Sequence, residues 1–142
     1  MKLKVKWFGL IPMTVEIPVR YVPFIEKRLF ADGTEGEVAA RAHGTWIEIL
    51  EDERNNVGLL NHELKHCVQW HALPYLHKTL RALSKRYTAE SEAQAYAAQL
   101  ATYGPDDQFY EARITAYAYL MANGYDLGIT IDEARARILK GW

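Results

Sequence analysis

The sequence predicts an α+β fold, with a small, mostly antiparallel N-terminal sheet followed by a helical bundle. Three observations carry this expectation: apolar and polar residues alternate with period two near the N-terminus, apolar residues recur at helical spacing beyond Asn56, and Pro and Gly separate the helical stretches. The 142 residues fit one domain, 1–142, with no internal repeat, low-complexity tract or linker to divide them. At 49% hydrophobic and 25% charged, the chain has the composition of a globular protein that can bury a core without disulfides.

Leu3, Val5 and Trp7 share one face of the first segment and Lys2, Lys4 and Lys6 the other, as in a half-buried strand. Met13, Val15, Ile17 and Val19 repeat the alternation, so the two segments predict a hairpin. Pro12 and Pro18 cannot donate to a ladder, which puts the second strand at an edge. From Val22 to Leu29 the pattern loosens toward a short helix, and Ala31 to Gly36 reads as a turn rich in Asp and Gly. Thr45 to Leu50, between Gly44 and the charged run Glu51 to Arg54, is rich in strand formers. Asn55 or Asn56 can cap the first of five helices, read as Val57 to Leu73, Tyr75 to Lys85, Thr88 to Tyr103, Asp106 to Asn123 and Ile131 to Leu139. Pro74, Gly104-Pro105 and Gly124 supply the breaks. Asp106 and Asp107 read as cap and first-turn charge of the fourth helix, with a spare carboxylate ligand as the alternative.

Lys and Arg total 17 against 18 Asp and Glu, a formal net charge of -1, so there is no electrostatic case for nucleic acid or an anionic membrane as main partner. The lone Cys67 excludes a disulfide framework and a Cys-cluster metal site, and reads as a small core hydrophobe. No stretch approaches the roughly 18 consecutive apolar residues of a membrane span, and the N-terminal lysines alternate with apolar residues instead of preceding an apolar run. The expectation is a soluble, cytoplasmic protein whose chemistry is that of His, Glu and Asp.

Two of the five histidines flank a glutamate in His62-Glu63-Leu64-Lys65-His66, an HExxH motif. On a helix, positions i and i+4 share a face, so two imidazoles can grip one zinc ion from the same side. Glu63 then stands where a general base can deprotonate the water that zinc activates. By chance alone the motif arises in roughly one or two such chains per hundred, so the context has to support it. It does: Leu60, Leu64, Cys67 and Val68 have helical apolar spacing, while His62, His66 and Gln69 form a neighbouring polar stripe.

An open catalytic zinc site needs a third protein ligand. The pattern HExxHxxGxxH is absent, since Gln69 and Ala72 stand at its glycine and third histidine. His71 lies on a rotated face of the same helix, and nothing in the spacing of His77 beyond Pro74 supports it. The run Thr88 to Ala97 supplies carboxylates from a second helix, where Ala93 and Ala97 would permit close approach.

HELKH, followed 24 residues after its second histidine by Glu90 in ESEAQAYA, resembles the zincin metallopeptidases of gluzincin type. The resemblance covers Gly44 to Leu100 and implies a zincin-like fold, bound zinc, peptide hydrolysis, a third ligand from a later helix and an extended peptide substrate along the strand Thr45 to Leu50. Gln69 is similar to the HExxHxxQ variant of some small bacterial and phage-encoded members. Glu90 and Glu92 point about 200° apart on a helix, so they are alternatives. Glu90 shares its face with Ala93, Gln94 and Ala97 and is favoured as the ligand, with Gln94 where the family has an Asp or Asn bonding a ligand histidine; Glu92 would bring Ala95, Tyr96 and Gln99.

Tyr87, Tyr96, Tyr103 and His43 are candidates to stabilise an oxyanion, although tyrosines at helical spacing more commonly serve packing. Trp46, Trp70, Tyr117 and Tyr119 read as packing residues and Lys65 as a solvated one. The function expected is a zinc metallopeptidase acting on a peptide or protein. The alternatives are a zincin-like binding or structural module without proteolytic activity, and a zinc hydrolase acting on a non-protein amide.

Overall fold

The computed structural model describes residues 1–29 and 33–141. Among them strands β1 (Lys2–Trp7), β2 (Ile11–Glu16), β3 (Val19–Val22), β4 (Arg28–Leu29), β5 (Glu35–Gly36), β6 (Ala40–Ala42) and β7 (Ile47–Leu50) precede helices α1 (Val57–Ala72), α2 (Leu76–Leu83), α3 (Lys85–Ala101), α4 (Tyr110–Gly124) and α5 (Ile131–Lys140). The α+β division expected from the sequence is therefore present.

The strands form three small sheets instead of one, ordered β1-β2, β3-β7-β6 and β4-β5, and every pairing but β3 with β7 is antiparallel. In the hairpin Leu3 faces Val15 and Val5 faces Met13, as the alternation requires. The second alternating segment does not continue to Val19 as one strand. At Pro18 the chain passes to the next sheet, and although this residue has no N–H, its carbonyl accepts from Ile47 N at 3.0 Å. The helix expected over Val22 to Leu29 is not formed: Val22 ends β3, Pro23 follows, and Arg28 and Leu29 pair with Gly36 and Glu35. Residues 31 and 32 of the expected turn lie outside the described residues.

Helices α1, α3 and α5 start at side chains that cap them, whereas α2 and α4 do not. Asn56 Oδ1 accepts from Leu59 N at 3.0 Å and starts α1. Ser84 Oγ accepts from Tyr87 N at 3.1 Å, so α3 begins three residues before Thr88 and α2 stops before Lys85. Asp107 is not the cap of α4; its carboxylate accepts from Phe109 N at 3.3 Å and pairs with Arg113 at 2.9 Å, ahead of a helix that opens at Tyr110. Thr130 and Glu133 form a reciprocal capping box on α5.

Two cores result. Ile17, Ala40, Ile47, Ile49, Leu64 and Cys67 fill the space between the β3-β7-β6 sheet and α1. Ala89, Ala93, Tyr96, Leu100, Ile114, Met121 and Ile138, with their neighbours, pack α3 against α4 and α5. Helices α1 and α3 pack on each other between these cores. No helix of the described residues is long and apolar enough to cross a membrane.

Candidate metal centre

The helical register of α1 places His62 and His66 one turn apart, both buried, with their Nε2 atoms 3.2 Å from each other. From α3, Glu92 brings Oε2 to 3.6 Å from His62 Nε2 and Oε1 to 3.6 Å from His66 Nε2. One ligand atom from each residue lies within 4.8 Å of the other two, close enough to hold a metal ion. A tetrahedral ion with bonds of about 2.0–2.1 Å has ligand–ligand edges of about 3.3 Å, so the spacing fits such an ion with small adjustment. The donors fit as well. Glu92 is 1% exposed, and its Oε2 and His62 Nδ1 have no hydrogen-bond partner among the described residues. A buried carboxylate oxygen without a partner is costly, and a cation between the three side chains would satisfy it.

Glu90, the favoured third ligand of the sequence reading, is not brought to the histidines. It lies on the opposite side of α3, half-exposed, in a 2.6 Å ion pair with Arg137 of α5. The face argument failed because α3 is buried on both sides. Ala93 belongs to the core with α4 and α5, and a Cβ on Gly141, just past α5, would meet Ala97 at 3.3 Å and the Ala93 carbonyl at 3.4 Å. The small-residue stripe thus packs on the C-terminal helices, and the Glu92 face turns to α1.

Gln69 fixes how His66 presents itself. Gln69 Nε2 donates to the Ser91 carbonyl at 3.0 Å, an unambiguous acceptor, which leaves Gln69 Oε1 to accept from Ser91 Oγ at 2.7 Å and from His66 Nδ1 at 2.9 Å. A proton on Nδ1 leaves Nε2 of the neutral ring with its lone pair toward His62 and Glu92. Gln94, expected beside a ligand histidine, instead accepts from Gln69 Nε2 at 3.3 Å and supports the residue that does this work.

Arg81 of α2 completes the centre by donating from Nη2 to Glu92 Oε1, while its Nη1 lies 3.4 Å from His66 Nδ1. With Oε1 engaged, Oε2 is the free donor. Burial opposes a charge on Glu92, but His66, the contacts with both histidines and Arg81 outweigh it and hold the carboxyl well below the usual range. Burial likewise works against a charged His66, yet Glu92, aided by Glu63, raises its pKa overall.

The centre opens into a cleft of ≈ 470 Å³ that is also lined by Glu63, Tyr96, His77, Arg81 and the stretch Glu37 to Gly44. Glu63, 7% exposed, is among these lining residues and makes no side-chain hydrogen bond among the described residues. The strand beside the cleft is β6, not Thr45 to Leu50. Central strand β7 is paired on both sides, by β3 and β6, so its backbone is spent. In the β6-β7 ladder His43 N donates to Trp46 O and Leu50 N to Ala39 O, which by antiparallel alternation turns the N–H and C=O groups of Ala40 and Ala42 to the open edge.

Of the oxyanion candidates, Tyr96 lines the cleft, its ring 4.6 Å from that of His62, edge to face. Its phenol pKa is raised, by burial first and then by the charge of Glu92, so the hydroxyl keeps its proton. His43 also reaches the cleft, stacked 3.8 Å from Trp46 and bonded to Glu48 at 3.1 Å. Tyr87 bonds His77 Nδ1 at 2.8 Å, and Tyr103 lies over Gly58, its hydroxyl 3.5 Å from Asn56 Oδ1. His71 is turned from the centre and bonds the Cys67 carbonyl at 2.8 Å. Cys67 is buried and unreactive, its thiol pushed up to about 12 by burial.

Arg81 and Ser91 had no signal in the sequence, because their roles exist only through the packing of α2 and α3 on α1. Gln69 did have one, at three residues beyond His66 on the polar stripe. Compared with known proteins, the chain matches no family model, no curated protein and no solved structure.

Proposed function

We propose that this chain is a zinc-dependent metallopeptidase in which His62, His66 and Glu92 hold the metal and Glu63 is the general base. The observation that carries the reading is the convergence of two imidazole nitrogens and one carboxylate oxygen without a hydrogen-bond partner among the described residues, beside Glu63 in an open cleft. Two nitrogens and one oxygen are a donor set that suits zinc and leaves its fourth position open. When bound, zinc would supply Lewis acidity, polarising a carbonyl and lowering the pKa of water toward neutrality.

The remaining steps belong to the chain. A carboxylate oxygen of Glu63 takes the proton of the attacking water and returns it to the leaving amine nitrogen. The outward N–H and C=O groups of Ala40 and Ala42 add an extended peptide as a further strand, and small side chains there let its backbone come close. The protonated hydroxyl of Tyr96 donates a hydrogen bond to negative charge developing on the substrate carbonyl. Glu63→Gln tests this directly: zinc content is expected to stay at the wild-type level while peptide hydrolysis falls by at least about 100-fold. Full activity in that variant would sink the proposal.

A binding or structural module is favoured by one observation, that Arg81 already balances the charge of Glu92. That reading expects dialysis against a chelator to leave thermal stability and folding unchanged.

A further inference from the structure

The near-neutral balance of the whole chain averages over a segment with no acid in it. Residues 1–13 carry Lys2, Lys4 and Lys6 and no Asp or Glu. Lys2 stands opposite Glu16 at the base of the β1-β2 hairpin, whereas Lys4 and Lys6 stand opposite Thr14 and Pro12. Neither Lys4 nor Lys6 enters an ion pair among the described residues.

The end of this hairpin is apolar and uncovered. Phe8 is 50% exposed, Leu10 82% and Ile11 54%, with Trp7 at 38% beside them. These side chains project because the backbone holds them out. Gly9 N donates to Lys6 O at 3.2 Å and Leu10 N to Trp7 O at 3.1 Å, while Phe8 N donates to His71 O at 3.2 Å and ties the turn to the end of α1. Phe8 itself sits at φ 49, a left-handed conformation that bulky residues seldom adopt. A fixed turn that presents this much apolar surface to water needs a cover.

We propose that the β1-β2 tip docks the protein on an anionic lipid bilayer. Phe8 and Leu10 enter the acyl boundary, Trp7 and Ile11 sit at the interface where indole rings are favoured, and Lys6 and Lys4 meet lipid phosphates. The dimensions agree. Two strand residues span about 7 Å, so Lys6 rises from Phe8 by a distance within the about 5–10 Å that interfacial elements are buried, and Lys4, about 7 Å further along β1, lies above it on the headgroup side. Other covers fit less well. Pro12 removes a donor from β2 and disfavours strand addition there, and a symmetric tip-to-tip dimer would set Lys4 and Lys6 against their own copies.

Co-sedimentation of the full chain with phosphatidylcholine vesicles, with and without phosphatidylserine, tests this. Binding is expected only where phosphatidylserine is present, and it should weaken as NaCl is raised. The double variant Phe8→Asp, Leu10→Asp should bind more than about 100-fold more weakly, and Lys4→Gln and Lys6→Gln about fivefold more weakly each. In vesicles of brominated lipid, tryptophan fluorescence should be quenched in the wild type, with that quenching lost in Trp7→Phe. This readout needs no destabilising substitution. Three results overturn the proposal: no binding of the wild type to serine-containing vesicles, undiminished binding by the double variant, or a tip-dependent dimer that ignores vesicles.

Discussion

Glu92 and Glu90 differ by two positions on one helix and have opposite surroundings: one is buried against two imidazoles and Arg81, the other ion-paired at the surface with Arg137. The motif His62-Glu63-His66 was legible because its geometry is internal to a single helix. Which of the two glutamates meets the histidines was not, because a 100° rotation per residue says which side chains share a face, not which neighbour that face meets. At this scale Gln69 is the most informative residue to change. Gln69→Ala removes the acceptor that keeps the His66 proton on Nδ1, and metal affinity in a chelator competition is expected to drop about 10–100-fold. His77 gives a pH signature. Burial, then the charges of Arg81 and His66, lower its pKa from 6.5 to about 4. The unfolded chain therefore binds more protons than the folded one between those values. His77's contribution is complete above about pH 6.5 and is lost as pH falls toward about 4. In urea titrations across that window, His77→Gln should lose stability on acidification less steeply than wild type; equal slopes would refute the assignment.

At the scale of elements, segments with strong periodicity or a clear stop were readable, and those made by pairing alone were not. The five helices lie close to where Asn56, Pro74, Gly104-Pro105 and Gly124 suggested, with Ser84 moving the α2–α3 boundary by its cap and Thr130 capping α5 at the expected start. Strand β6, in Ala-Arg-Ala, has no β propensity and exists because β7 offers it an edge, so the strand that lines the cleft was missed while its buried neighbour was found. Its approach to α1 depends on Gly44, at φ +89, where a Cβ would lie 2.6 Å from the Trp70 ring. Gly44→Ala should cost about 1–3 kcal/mol through backbone strain and overpacking, visible as a lower urea midpoint with an unchanged slope. A stability equal to wild type would show that this contact can relax.

For the molecule as a whole, the candidate centre lies where two cores meet. Histidines come from the helix that covers the β3-β7-β6 sheet, the carboxylate from the helix that anchors α4 and α5, and the guanidinium from α2 between them. A cation held there would join the two halves, so metal binding and folding would be coupled. The strands-then-helices order was legible as α+β from the sequence, but the division into three sheets and two cores was not, since it depends on contacts distant in the chain. The central claim is that His62, His66 and Glu92, with Glu90 excluded, form a metal centre. Metal analysis of the purified wild type, His62→Ala, Glu92→Ala and Glu90→Ala proteins tests it most directly. One zinc per chain in the wild type and Glu90→Ala, with loss in His62→Ala and Glu92→Ala, is the predicted result. Zinc lost on Glu90→Ala and kept on Glu92→Ala, or equal zinc in all four, would contradict it.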